Sequence, residues 1–297
     1  MADVSVLNVE LYGEAIGTLT RVPGDRSLFA FNEDYIENAD RPTLGLFFKD
    51  EFGDLRTEFK PVQKQVMPFF SNLFPEGHLR KYLAEQAGVN AEREFFLLWA
   101  LGRDLPGAIT IKPADGEIWP PEAAHVTGKD ASNPKDNMLR FSLAGVQLKF
   151  SAIEAASGGL TIPASGIGGN WIVKLPSRDY LGVPENEFSM MRLASMLGID
   201  VPRINLVDIE SIANLPDDTD RFGTKAFVIE RFDRRSSGDR VHIEDFTQVF
   251  GVYSEDKYKK ASMRNIATVI GAEGSDEDIR EFVRRLTFNT LIGNGDM

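Results

Sequence analysis

One segment constrains this chain more than any other. Trp171-Ile172-Val173-Lys174-Leu175 is a short apolar run, stopped by Pro176, with a lysine in its interior. Its length and β-branched content read as a strand, and the proline cannot donate to a continuing sheet ladder. An ammonium there is costly unless an anion meets it, or unless the strand lies at a sheet edge and the side chain reaches water. The following segment bears on that choice. Pro184 opens a helix that runs to Gly198. At about 100° per residue, Glu187 shares a face with Met190, Met191 and Ala194, whereas Glu185 points elsewhere. A carboxylate on the apolar face of that helix is what a Lys174–Glu187 pair requires. The competing reading of Glu187 is a first-turn acid favoured by the helix dipole.

The rest of the chain places this step in an α+β frame. Leu7, Val9 and Leu11 alternate with Asn8 and Glu10 at period two, and a turn at Tyr12–Ala15 precedes Ile16–Leu19. Leu28–Phe31 and Leu44–Phe48 are further strand candidates. Helices are expected from Pro75 to Gly88 and from Glu92 to Leu101, the latter ending at Gly102 as a C′ residue. Residues 1–112 thus read as a small β-rich domain closed by helices, and 113–138, with four prolines and little periodicity, as a linker or a long loop. From 139 strands come first and helices after. Leu139–Ile153 reads strand–turn–strand, Ala226–Phe232 is a buried strand, and helical segments dominate beyond 244. That order suggests a two-lobed unit, with strands over 139–235 and a helical lobe over 236–297.

Three further stretches can carry chemistry. Ser142-Leu143-Ala144-Gly145-Val146-Gln147-Leu148-Lys149 is a small-residue turn ahead of the lysine strand, able to lay backbone N–H groups and the Lys149 charge against an anion. Glu230-Arg231-Phe232-Asp233-Arg234 follows a buried strand, as either a hinge or a charged strand exit. The helix Glu281–Ile292 carries Phe282, Val283, Leu286, Phe288, Leu291 and Ile292 around its whole circumference, which predicts burial among other elements. Gly293-Asn294-Gly295 then turns sharply to present Asp296, as a proton acceptor or as a solvated turn residue.

In this order the set resembles the HipA family of toxin serine/threonine kinases. Phe69–Gly77 and Leu101–Ala108 resemble the family's N-terminal domain, and Ser142–Lys149 its S-x-A-G-x-Q-x-K phosphate loop. Trp171–Pro176, Glu185–Pro202 and Phe227–Arg234 resemble its nucleotide-binding core, and Leu291–Asp296 the opening of its catalytic loop. The resemblance implies a kinase-like fold and ATP with Mg²⁺ as cofactors. Ala144, Gly145, Val146, Gln147, Leu148, Lys149 and Lys174 would hold the phosphates, with Glu187 pairing Lys174. Glu230, Arg231 and Phe232 would hold the adenine, Asp296 would be catalytic, and Ser142 would be an inactivating autophosphorylation site. It also implies a HipB-like helix-turn-helix antitoxin as partner, DNA contact mainly through that antitoxin, and a protein Ser or Thr as substrate. Known family substrates include an aminoacyl-tRNA synthetase.

The family's pattern continues past Met297 with the rest of the catalytic loop, a metal-binding aspartate and more helices. The expectation is therefore a chain that lacks most of the helical lobe, holds no metal ligands of its own, and is inactive or nearly so. The alternative is a naturally shortened, non-catalytic protein that sequesters antitoxin or target; a small-molecule phosphotransferase fits the N-terminal matches less well. A net charge of −12 argues against a large nucleic-acid footprint on the chain itself. No run approaches the roughly 18 apolar residues of a membrane span. The absence of cysteine and of a signal-like N-terminus suits a reducing cytoplasm.

Overall fold

The computed structural model describes residues 5–75, 80, 81, 84, 87–114, 149–154, 159–162, 168–177, 180–215, 223–235 and 237–295. The chain is α+β and divides into two compact units, Met1–Ala131 with Ser237–Ala261, and Ser132–Ser236 with Ser262–Met297. Among the described residues no helix is long and apolar enough to cross a membrane.

The first unit is built on a five-stranded antiparallel sheet. Strands β1 (Val6–Leu11), β2 (Glu14–Val22) and β3 (Arg26–Phe31) form a meander. The edge strands β4 (Val62–Gln63) and β5 (Ile109–Pro113) complete the order β4-β3-β2-β1-β5. The period-two run delivers Leu7, Val9 and Leu11 to the core, where all three are fully buried. Helices α1 (Glu33–Glu37), α2 (Pro68–Ser71) and α3 (Glu94–Leu101) accompany the sheet. The core is strongly aromatic. Phe29 meets Phe31 and Phe70 at centroid distances of 4.8 and 4.9 Å, and Phe48 meets Phe69 at 4.8 Å, all edge to face.

Two local expectations change here. Leu44–Phe48 is not a strand: Leu46–Phe48 is a 3-10 turn, which seats Phe48 among the buried rings. Gly102 does follow the helix, but with φ −59° rather than a left-handed C′ conformation. A Cβ on it would lie 2.1 Å from the Ile111 carbonyl oxygen, so the glycine serves close approach of β5. Of the helix expected from Pro75, residues 80, 81 and 84 are helical and the other residues of 76–86 lie outside the described ones.

Residues 237–261, grouped by sequence with the helical lobe, pack into this first unit. The Glu244 carboxylate accepts from Leu46 N–H at 3.0 and 3.1 Å, and the buried Gln248 donates to the Phe69 carbonyl at 3.0 Å. Asn72 donates to the Val252 carbonyl at 2.8 Å, and Arg240 to those of Arg103 and Ile109 at 3.1 and 3.3 Å.

The second unit holds a six-stranded sheet of β6 (Lys149–Glu154), β7 (Leu160–Thr161), β8 (Trp171–Lys174), β9 (Ile204–Asp208), β10 (Ile212–Ala213) and β11 (Lys225–Glu230). Its order is β10-β7-β6-β8-β11-β9, with every pair antiparallel except β10–β7. One face buries Ala152, Trp171, Val173, Ala226 and Val228 with Ile162, Leu175, Ile209 and Ile212. Helix α4 (Val183–Met196), with Pro184 in its first turn, packs on β9 and β11. Helices α5 (Met263–Glu273) and α6 (Asp276–Leu291) follow.

The last helix departs from expectation. It begins at Asp276, where Ser275 and Asp278 form a reciprocal capping box. Only Phe288 is buried on it, against Ala194 and Ile199; Val283 and Leu291 are 53% and 80% exposed. Apolar residues surround the helix, but among the described residues partners cover one side only. The turn after it is as expected: Gly293 takes φ 70°, and Asn294 N–H donates to the Asn289 carbonyl at 2.9 Å.

Candidate functional site

Lys174 closes strand β8, which has β6 on one side and β11 on the other. The edge-strand reading therefore fails, and an anion must meet the ammonium. Its Nζ pairs with Glu187 Oε1 from α4, with side chains 24% and 28% exposed. The register expected from sequence is the observed one. Glu187, Met190, Met191 and Ala194 form the covered side of α4, and Glu185 is exposed. The Lys174 ammonium also lies 5.6 Å from the centroid of the buried Phe227 ring, opposite it on β11. On the other side Lys174 is registered directly against Lys149 of β6, whose side chain is exposed. Two lysines facing each other across a ladder repel. Glu187 neutralises one charge, and the row keeps a net positive end beside a partly open carboxylate–ammonium pair.

At the far end of β11 the strand exit is tied down. Glu230 N–H donates to the Arg203 carbonyl at 2.8 Å, and Arg231 N–H to the Asn170 carbonyl at 2.7 Å. The Glu230 carboxylate takes a two-pronged bond from Arg203, Nε to Oε2 at 2.8 Å and Nη2 to Oε1 at 3.1 Å. Those bonds hold the Glu230 carboxyl below its usual range. The Arg231 guanidinium is turned onto Asp233, at 3.0 and 2.9 Å, where Arg234 joins it at 2.7 Å. Phe232 is 63% exposed.

The structure thus brings Lys149, Lys174 and Glu187 together, and sets Glu230, Arg231 and Phe232 at the exit of the strand beside β8. Ser142, Ala144, Gly145, Val146, Gln147, Leu148 and Asp296 lie outside the described residues. Among the described residues no cluster of three or more acidic or histidine side chains could hold a metal ion, so the Mg²⁺ expectation rests on resemblance alone. Arg203 had no signal in the sequence. It follows a proline at the head of β9, and its partner Glu230 is 27 residues away.

A family model described as the HipA-like C-terminal domain matches residues 141–297, more than half of the chain, and one described as the HipA N-terminal domain matches residues 7–112. The chain belongs to the HipA family. The Sinorhizobium fredii protein Y4dM is 56% identical over 299 residues, an alignment covering 100% of this chain and 72% of that protein. The serine/threonine-protein kinase toxin HipA of Shewanella oneidensis is 31% identical over 249 residues, 78% of this chain and 51% of the toxin. Among solved structures, a chain in the Shewanella oneidensis MR-1 complex of HipA, HipB and operator DNA matches with a TM-score of 0.69 at 24% identity, covering 98% of this chain and 70% of that one. At that identity the likeness speaks for the fold alone, and the fold is HipA-like. The 237–261 segment falls within the stretch matched by the HipA C-terminal model, yet its packing is with the N-terminal unit.

Proposed function

We propose that this HipA-family chain binds the phosphates of ATP at the Lys174 end of the six-stranded sheet, as the nucleotide site of a serine/threonine kinase. The observation that carries the reading is the Lys174–Glu187 pair facing Lys149. A lysine held by a helix carboxylate beside a second lysine is fitted to an oligophosphate, because the anion would relieve the cross-strand repulsion that the carboxylate leaves. Mg²⁺ would accompany the nucleotide and neutralise charge between its phosphates.

The remaining roles follow from the family and belong to the same proposal. Ala144–Leu148 would close over the phosphates, Asp296 would accept the proton of the substrate hydroxyl, and Ser142 would take a phosphate that switches the site off. A HipB-like antitoxin is the proposed partner, with DNA reached through it, and the substrate is a protein Ser or Thr such as one on an aminoacyl-tRNA synthetase. For the adenine, Glu230 and Arg231 have already committed their N–H groups within the sheet. The hinge contact therefore falls to carbonyl groups and to the exposed Phe232.

Calorimetric titration with Mg-ATP tests the reading. Lys174→Met is expected to weaken binding by about tenfold or more, the loss of one charge-assisted contact. Glu187→Gln should weaken it less, since the lysine remains. Equal binding by wild type and Lys174→Met sinks the proposal.

A further inference from the structure

The exit of β11 shows more order than a charged strand end requires. Four side chains, one from each of the adjacent strands β6, β8 and β11 and one from the head of β9, meet in a single group. The Arg203 guanidinium grips Glu230 at 2.8 and 3.1 Å, lies 5.0 Å from the Trp171 ring centroid, and reaches Glu154 at 3.6 Å. Trp171 in turn donates its indole N–H to Glu154 at 3.2 Å. Trp171 and Glu230 are registered partners, so the guanidinium spans the ladder between them. The main chain repeats the tie, through the Glu230 N–H bond to the Arg203 carbonyl at 2.8 Å.

We infer that Arg203 is a positioning residue for nucleotide-base recognition: it clamps Glu230, so that the residue meets the base through its main chain alone. The inference rests on the nucleotide reading given above. Both oxygens of the Glu230 carboxylate are engaged by Arg203, leaving the group ill placed to read a purine edge. Holding that side chain and its N–H to one residue fixes where the Glu230–Phe232 peptide points. Arginine suits the task because its planar fork matches a carboxylate and stacks on an indole; lysine can do neither in the same way. The clamp and the Lys174 row occupy different positions of the sheet: Glu230 is registered with Trp171, whereas Lys174 is registered with Phe227 and Lys149.

That separation supplies the test. Mg-ATP, Mg-GTP and inorganic tripolyphosphate with Mg²⁺ are titrated into the intact chain and into Arg203→Ala. The variant is expected to bind ATP about tenfold more weakly, to hold tripolyphosphate within about twofold, and to narrow the difference between ATP and GTP. Arg203→Lys should recover only part of the loss. Glu230→Gln, which keeps the shape but not the charge, should reproduce the selective loss if Arg203→Ala fails to fold. A parallel fall in ATP and tripolyphosphate binding, or no fall in either, overturns the inference, as does full recovery by lysine. A wild-type chain that holds tripolyphosphate but not ATP overturns the base-positioning role and leaves the phosphate site standing. One that binds neither overturns the nucleotide reading itself.

Discussion

Glu94 has a side chain with no exposure at all, and it is fully employed. It accepts from Val66 N–H, Ser71 Oγ and Arg80 Nη2, each at 2.8 Å. Nearby, Tyr253 donates its hydroxyl to the Val66 carbonyl at 3.0 Å. Burial, with the charges of Glu94 and then Glu255, pushes that phenol from 10.0 up to about 12. The direction of the linkage follows. Between pH 10 and 12 the unfolded chain has lost the phenolic proton and the native chain keeps it, so stability falls as pH rises. The contribution is fully present below pH 10. Thermal melts of the intact chain across that range should show the fall, and Tyr253→Phe should flatten it while costing about 1 kcal/mol at neutral pH for the lost hydrogen bond. An unchanged slope in the variant would assign the alkaline loss to other groups. None of this was legible beforehand, because Glu94 reads as an ordinary first-turn acid. The Lys174–Glu187 pair was legible because both residues sit on strongly periodic elements only 13 residues apart.

At the scale of elements, strands are legible where alternation is strict, and helix ends are less so, because an end is decided by its neighbours. Gly102 shows why. A glycine after an apolar helix suggests a left-handed cap, yet here the Ile111 N–H donates to its carbonyl at 2.9 Å, drawing β5 onto the helix end. Gly102→Ala would set a methyl 2.1 Å from the Ile111 oxygen and 2.7 Å from that of Leu98, both main-chain atoms that cannot swing aside. It is expected to cost about 3 kcal/mol, read as a lower urea midpoint with unchanged slope. Gly159→Ala meets no described atom within 4 Å and should stay within about 0.5 kcal/mol. A Gly102→Ala midpoint equal to wild type would restore the capping explanation. The same dependence on neighbours explains α6: a helical wheel tells how many faces are apolar, not how many find a partner.

At the scale of the whole molecule, sequence and structure part over residues 237–261. Their ties to the first unit run mostly from side chains to main-chain groups: Glu244 to Leu46, Gln248 to Phe69, His242 to the Leu44 carbonyl at 2.7 Å, and Asn72 to Val252. Bonds of that kind leave no periodic trace, since almost any residue supplies the main-chain N–H or carbonyl. They also mean that the N-terminal unit is completed by chain arriving more than a hundred residues later. A fragment of residues 1–131 would leave the Phe69 carbonyl and the Leu46 N–H without these partners, each such orphan costing about 1–3 kcal/mol where water is excluded. The fragment alone is therefore expected to melt with low cooperativity, followed by circular dichroism, and a synthetic peptide of residues 237–261 should raise its melting temperature in proportion to the logarithm of its concentration. In the intact chain, Gln248→Ala should reproduce part of the defect, about 1–3 kcal/mol, because it removes the donor to Phe69 from a buried position. A fragment that melts sharply and ignores the peptide would show the N-terminal unit to be self-sufficient and reduce 237–261 to a surface strap.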